Sequence, residues 1–457
     1  MTMLWTSQDI AHATGGLASA DFSVGGIAFD SREVGAGDLF IAMTGENDNG
    51  HRFVDRAFAK GAGGAIVSQP VPHPHVLVAD TAAALNALGV ASRARLGKEG
   101  AAARVAGVTG SVGKTGTKEA LAAALSRTPD AKVHRSVKSY NNHTGVPLSL
   151  ARMPADSDYG VFEMGMNHAG EIAALTAMVR PHVALITAIA PAHIEFFESE
   201  AAIADAKGEI FAGLEPGGTA IIPFDSPHRD RLMAHARPYA EHILTFGLGA
   251  GADVRAHQAV ATARGSLITA RLPDAELCFT VAQHGAHWVS NALAVIATVS
   301  ALGADLAVAG LALAELESIA GRGARFTLPN GAMLIDESYN ANAASMAATL
   351  KVLADEPAIR RIAVLGEMRE LGQESDALHA GIAAPLLAAD VAFVLLVGRA
   401  MTPLAEEIRG KVEFRHVADT AAAIDAMPSM IGSGDTLLVK GSNGVGLSAL
   451  VSALRSA

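Results

Sequence analysis

Short apolar runs bounded by glycine turns alternate along this chain with longer segments whose apolar positions recur at helical spacing. The rhythm divides the sequence into three stretches. Residues 1–100 carry short strands, such as Gly26-Ile-Ala-Phe-Asp30 and Gly64-Ala-Ile-Val-Ser68, between glycine-rich turns. They close with an alanine-rich helix near 81–96 that ends in Gly-Lys-Glu-Gly, a linker end. In residues 101–325, Val105-Ala-Gly-Val-Thr109 enters a glycine loop, and Lys118 to Arg127 reads as a helix. Tyr159–Glu163 and Val183–Thr187 read as buried parallel strands, with Glu171–Val179 a helix between them. Residues 326–457 repeat the rhythm, with strands expected at 332–337, 361–366, 391–398, 412–417 and 435–440. Helices are expected at 345–356, 374–389, 402–409, 419–431 and 446–455. The fold class is therefore α/β in three domains: a small α/β domain, a central parallel-sheet domain and a C-terminal doubly wound, Rossmann-like domain.

Composition agrees with that division. A length of 457 residues suits about three domains at ~150 residues each. Half the chain is apolar and only 18% charged, which excludes wholesale disorder. Lys and Arg total 35 against 46 Asp and Glu, a net charge of −11, so nucleic acid is not an expected partner. The single cysteine, Cys278, supports neither an internal disulfide nor a multi-cysteine metal site and fits a reducing cytoplasm. Met1–Gly16 lacks the basic patch and long apolar run of a signal peptide. No uninterrupted apolar stretch reaches the ~18 residues of a membrane span. The nearest, Ala383–Gly398, contains Asp390 and ends in the strand-like Val391–Val397. A cytoplasmic, monomeric chain acting on small molecules is expected.

The sharpest local signal is Val108-Thr-Gly-Ser-Val-Gly-Lys-Thr115, between a strand and a helix. Glycines let backbone N–H groups of Gly110, Ser111, Val112 and Gly113 turn toward an anion, and a helix N-terminus adds positive dipole. Lys114 can neutralise β- and γ-phosphate oxygens, and the Thr115 hydroxyl can ligate Mg²⁺. The strict pattern wants glycine where Val108 stands, so this is a variant with Gly110 in a tighter loop. The loop predicts ATP binding without naming a reaction.

Glu163 ends a strand, at the sheet edge where open α/β folds bind ligands, and a carboxylate there suits Mg²⁺. His193, in Ala190-Pro-Ala-His-Ile194, follows another strand. Lys207, early in a helix pattern, would ordinarily be a surface lysine. No His-Glu-x-x-His pair accompanies them, which argues against zinc.

Together these motifs resemble the Mur ligase family, ATP-dependent amide-forming enzymes of peptidoglycan precursor synthesis. Thr109–Thr115 is similar to the family's phosphate loop and Asn141-Asn-His-Thr-Gly-Val-Pro147 to the polar loop after it. Asn142 and Thr144 lie in that second loop. The resemblance implies that Glu163, His193 and Lys207 are a magnesium carboxylate, a histidine ligand and a carbamylated lysine, serving about two magnesium ions. It implies that Asn291, in Gly285–Leu293, contacts adenine, and that Arg322 and Asp336 meet the nucleotide, with Arg325 the alternative to Arg322. Asp336-Glu-Ser-Tyr-Asn-Ala-Asn-Ala343 (with Asn340 and Asn342), Gly366-Glu-Met-Arg-Glu-Leu-Gly372 and Lys440-Gly-Ser-Asn-Gly-Val-Gly446 resemble the member that adds D-alanyl-D-alanine to UDP-N-acetylmuramoyl-tripeptide. Asp30-Ser-Arg32 resembles its UDP-sugar-binding segment, so Ser31 and Arg32 are implied substrate contacts. The implied division is UDP sugar on residues 1–100, ATP on 101–325 and dipeptide on 326–457. Three departures stand out: Ala343 for the usual proline, Gly116 for a common threonine and Asn443 for the usual arginine.

Overall fold

The computed structural model describes residues 3–45, 49–97, 103–191 and 194–456. Each of its three large sheets covers one of the stretches read from the sequence. The first has five strands in the order Leu17–Ala18, His75–Leu77, Gly64–Val67, Asp38–Ile41 and Gly26–Ala28. All pairings are parallel except at the Leu17–Ala18 edge. The helix Thr81–Arg95 begins where Asp80 accepts hydrogen bonds from the N–H groups of Ala82 and Ala83, and it buries Ala84, Leu85 and Leu88. Gly89 brings this helix against Pro147 of the central unit: a β-carbon there would stand 3.2 Å from the Pro147 backbone. The 97–100 linker end lies almost wholly outside the described residues.

The second sheet has nine strands. Val133–Arg135, Tyr159–Glu163, Arg104–Thr109, Val183–Ile186, Thr219–Pro223, His242–Gly247 and Val254–Thr262 run parallel in that order. Gly265–Arg271 and Glu276–Val281 then extend it as an antiparallel meander. The sequence reading did not anticipate this arm. Its strands are partly exposed, as antiparallel sheets allow, so they lack the continuous apolar runs of buried parallel strands. Apolar layers cover both faces of the parallel part. The helix Ala286–Ala301, apolar nearly all round, is buried in one of them.

The third sheet orders Ala324–Thr327, Met333–Glu337, Thr436–Lys440, Arg361–Gly366, Phe393–Val397 and Glu413–Val417. The five anticipated strands are present and mutually parallel, and the antiparallel edge Ala324–Thr327 straddles the 325/326 line. The expected helix 374–389 is instead two, Ser375–Gly381 and Ala383–Ala388. Pro385 has no N–H to offer the Gly381 carbonyl, and its ring crowds that turn. Among the described residues no helix is long and apolar enough to cross a membrane. The apolar run 383–398 is a short helix, a turn and a buried strand.

Parallel sheets place the C-terminal ends of their strands, and the loops that follow, on one edge. Loops after Thr109, Glu163 and Ile186 of the second sheet share one cavity with the loop after Glu337 and the strand end Lys440 of the third.

Candidate active site

That cavity encloses about 710 Å³. Its floor is the loop between the strand Arg104–Thr109 and the helix Lys114–Ser126, one turn longer at its start than the sequence suggested. Two glycines shape the loop. Gly110 has φ +148°, and a β-carbon there would lie 2.0 Å from Thr187 Oγ1; Gly113 has φ +84°. The Thr187 hydroxyl donates to the Val112 carbonyl at 2.6 Å. Ser111 is committed elsewhere, its N–H to the Ala188 carbonyl (2.7 Å) and its Oγ to the Ala190 carbonyl (2.8 Å). The N–H groups of Lys114 and Thr115 open the helix and so have no intrahelical acceptor. Lys114 Nζ donates to the Gly110 carbonyl at 2.7 Å. Burial, reinforced by Arg322, lowers its pKa, while Glu163 opposes the shift.

Thr115 Oγ1 donates to Glu163 Oε2 at 2.8 Å, and Asn141 Nδ2 donates to Glu163 Oε1 at 2.7 Å. Glu163 is 1% exposed. A buried carboxylate and a hydroxyl therefore meet where the loop enters its helix, a hard-oxygen pair that suits Mg²⁺. Among the described residues no cluster of three or more His, Cys, Asp or Glu forms a metal site.

The segment carrying Ser139 and Asn141 is held by a residue the sequence reading passed over. Lys118 is fully buried, and its Nζ donates to the Ser136 carbonyl (2.8 Å), the Lys138 carbonyl (2.7 Å) and Glu119 (2.8 Å). It lies four residues after Lys114, but only the fold brings the 136–138 carbonyls to it. Asn142 Oδ1 caps the next helix, accepting from the Gly145 N–H at 2.9 Å, and lines the cavity. Thr144 is that helix's N-terminal flank and does not line it.

Lys207 is 1% exposed, not a surface lysine, and lies in the last turn of the helix Glu200–Gly208, not early in one. The helix starts further upstream because Ser199 caps it, accepting from the Ala202 N–H. Among the described residues no hydrogen-bond or ion-pair partner meets the Lys207 amine. Burial, with Lys114 nearby, holds its pKa well below the ordinary lysine value. His193 lies outside the described residues.

From the third unit, Arg322 enters the cavity with its guanidinium 4.2 Å over the Tyr339 ring and Nη2 donating to Ser139 Oγ at 3.3 Å. Arg325 is turned away and paired with Glu356 at 2.7 Å. Asn340 and Asn342 line the cavity. Asn342 also caps the helix Ala343–Asp355, which puts Ala343 at the first helical position, where proline is favoured but alanine costs little. Asp336 does not line the cavity. Its carboxylate accepts from the Gly321 N–H (2.8 Å) and the Ser338 hydroxyl (2.6 Å), so it fixes the turn that presents Arg322. Lys440, absent from the expected site, is 2% exposed and lines the cavity, donating to the Asn340 carbonyl at 3.0 Å and pairing with Glu337. Its place in the 440–446 motif was the available signal.

Asn291 reaches the phosphate loop, with Oδ1 2.9 Å from a β-carbon built on Gly113. Trp288, one turn earlier, explains the departure at Gly116: a β-carbon there would stand 3.0 Å from Trp288 Cη2. Ser31 and Arg32 lie outside this cavity. Ser31 is buried, and Arg32 is exposed and bound two-pronged to Asp30 (3.0 and 2.7 Å), whose pKa the guanidinium lowers to about 2. The adjacent Glu33 pairs with Lys138 and accepts from Tyr140 Oη, joining the first unit to the loop beside the cavity.

Comparison with known proteins bears on the whole chain. Residues 23–109 match the model of the Mur ligase family, catalytic domain; 108–299 match the Mur ligase middle domain; 321–443 match the Mur ligase, glutamate ligase domain. The chain is 36% identical over 446 residues to the UDP-N-acetylmuramoyl-tripeptide–D-alanyl-D-alanine ligase of Escherichia coli (strain K12), covering 96% of each. It is 32% identical over 435 residues to the enzyme of that name from Bacillus subtilis (strain 168), covering 93% of this chain and 92% of the relative. Among solved structures, MurF from Acinetobacter baumannii superposes with a TM-score of 0.86 at 30% identity over 99% of both chains. MurF ligase from Thermotoga maritima in complex with ADP shares the fold, with a TM-score of 0.78 at 24% identity over 94% of this chain and 97% of that one.

Proposed function

The chain belongs to the Mur ligase family, and from that premise we propose that it joins D-alanyl-D-alanine to UDP-N-acetylmuramoyl-tripeptide at the expense of ATP. The observation that carries this reading is the single cavity in which a phosphate loop, a buried carboxylate and the cations Arg322 and Lys440 face one another across two sheets.

Hydroxide is a poor leaving group, so a carboxylate must be activated before an amine can displace it. The tripeptide carboxylate oxygen attacks the γ-phosphorus; the bond to the β–γ bridging oxygen breaks and ADP leaves. The neutral dipeptide amine then attacks the acyl carbon, loses a proton, and phosphate departs as the amide forms. The first step brings an anion to a polyanion, so positive charge must be fixed in advance. Lys114 and the open N–H groups at the helix start meet the phosphates. Arg322, held by the Tyr339 ring and Ser139, reaches them from the turn before the strand Ala324–Thr327, and Asp336 positions Arg322 from outside the cavity. Asn291 reaches the nucleotide, and Asn340 and Asn342 border the acceptor side. Thr115 and Glu163 would hold Mg²⁺, with His193 a further ligand, and the ion would neutralise charge developing on the transferred phosphoryl group. Asn141 orients Glu163 for that purpose.

Lys207 suits carbamylation. Its depressed pKa leaves the amine neutral more often, and a neutral amine adds CO₂, forming an N–C bond and releasing a proton. The product exchanges a buried cation for an oxygen anion beside Lys114. Ser31 and Arg32 hold the UDP sugar on residues 1–100, residues 101–325 hold ATP, and residues 326–457 bring up the dipeptide. Phosphate release by the purified protein tests the reading. It should need ATP, the UDP-linked tripeptide and D-alanyl-D-alanine together, and release independent of the dipeptide would refute it.

A further inference from the structure

The third unit carries a guanidinium that the reading above does not use. Arg369 lies in the loop after the strand Arg361–Gly366, and its side chain is exposed. Its backbone N–H donates to Ser442 Oγ at 3.0 Å, and its Nη2 donates to the Gly444 carbonyl at 2.8 Å. The two loops touch backbone to backbone, since a β-carbon on Gly441 would stand 3.1 Å from Gly366 Cα. A β-carbon on Gly444 would lie 2.1 Å from Arg369 Nη1, so only glycine there lets the guanidinium lie flat on the turn Asn443–Val445. Among the described residues no carboxylate pairs with Arg369. The turn it covers is the one where Asn443 replaces an expected arginine. A charge missing at one position in the sequence is thus supplied from 74 residues earlier (443 − 369).

Arg369 does not itself line the cavity, but the turn it rests on adjoins the cavity wall. Ser442 Oγ lies 3.4 Å from the Ala341 carbonyl, between the cavity residues Asn340 and Asn342. One residue past Arg369 the loop meets the second unit: the Glu195 N–H donates to the Glu370 carbonyl at 3.3 Å.

Resting on the ligase reading, we propose that Arg369 takes the terminal carboxylate of the incoming dipeptide and so orients its amine. That carboxylate is the dipeptide's only fixed anion, and its bonding to a planar guanidinium is directional. One of the five N–H groups is spent on Gly444, which fixes the plane and leaves the others for substrate.

The test uses full-length protein and phosphate release. Arg369→Ala should raise the KM for D-alanyl-D-alanine roughly tenfold to a hundredfold, the scale of lost charge-assisted hydrogen bonds, with the KM for ATP unchanged. Wild type should prefer the dipeptide acid to its C-terminal amide, and Arg369→Ala should lose that preference. Adding Asn443→Arg to Arg369→Ala should restore much of both by returning a guanidinium to the same turn. An unchanged dipeptide KM in Arg369→Ala, or an undiminished acid-over-amide preference, overturns the inference while leaving the ligase reading intact. Dipeptide-independent phosphate release by wild type overturns both.

Discussion

Gly116 and Trp288 form a size-matched pair, and Gly116→Thr tests whether that match is required. The added β-carbon would stand 3.0 Å from Trp288 Cη2 and 3.2 Å from Cζ2, inside normal van der Waals separation, and threonine then adds two more heavy atoms. Trp288 is 6% exposed and packed in the layer shared with the helix Lys114–Ser126, so it has little room to retreat. Overpacking of this kind costs about 1–3 kcal/mol. Trp288→Leu alone should also destabilise, by about 2–4 kcal/mol, through the cavity it leaves. Together the two changes relieve each other, so the double variant should be more stable than the sum of the singles by roughly 1–3 kcal/mol. Urea unfolding followed by circular dichroism measures this, on the transition that ADP moves to higher denaturant. Additivity within about 0.5 kcal/mol would refute the steric pairing. Because Gly116 sits in the first turn after the phosphate loop, Gly116→Thr should also weaken ADP binding, and Trp288→Leu should recover part of it.

Glu163→Gln keeps the shape and the Thr115 contact but removes the anion; phosphate release should fall at least about a hundredfold while magnesium-free ADP binding in calorimetry changes little, and retained turnover would dismiss the carboxylate. Lys114→Ala should abolish ATP turnover with an unchanged circular dichroism spectrum. Lys207→Ala should lose activity and regain some with added short carboxylic acids, and ¹³CO₂ should give a carbamate resonance in wild type that the variant lacks; an active variant would reduce Lys207 to a buried packing residue. The Asp30 carboxyl should titrate near 2 by NMR. Its folded pKa lies below the unfolded value, so the Asp30–Arg32 contact contributes above about pH 4 and is lost as pH falls toward 2; titration near 4 would show the pair unformed.

The sequence by itself determined the periodic and the contiguous features of this protein. Buried parallel strands are unbroken apolar runs, so the strands at 159–163, 361–366 and 436–440 were legible to within a residue. The phosphate loop was legible because its glycines, lysine and threonine act through backbone geometry within one short segment. The antiparallel arm 254–281 was not, because half-exposed strands lack such runs. Nor could periodicity show that Lys207 is buried or that Lys118 anchors the 136–138 carbonyls, since both depend on what packs over a helix rather than on the helix itself. The departures divide the same way. Ala343 is explained locally, at the first position of its helix. Gly116 makes sense only beside Trp288, which lies far along the chain and meets it in space. Tertiary structure decides such cases because steric room and charge are properties of a volume, and residues from any part of the chain can fill it.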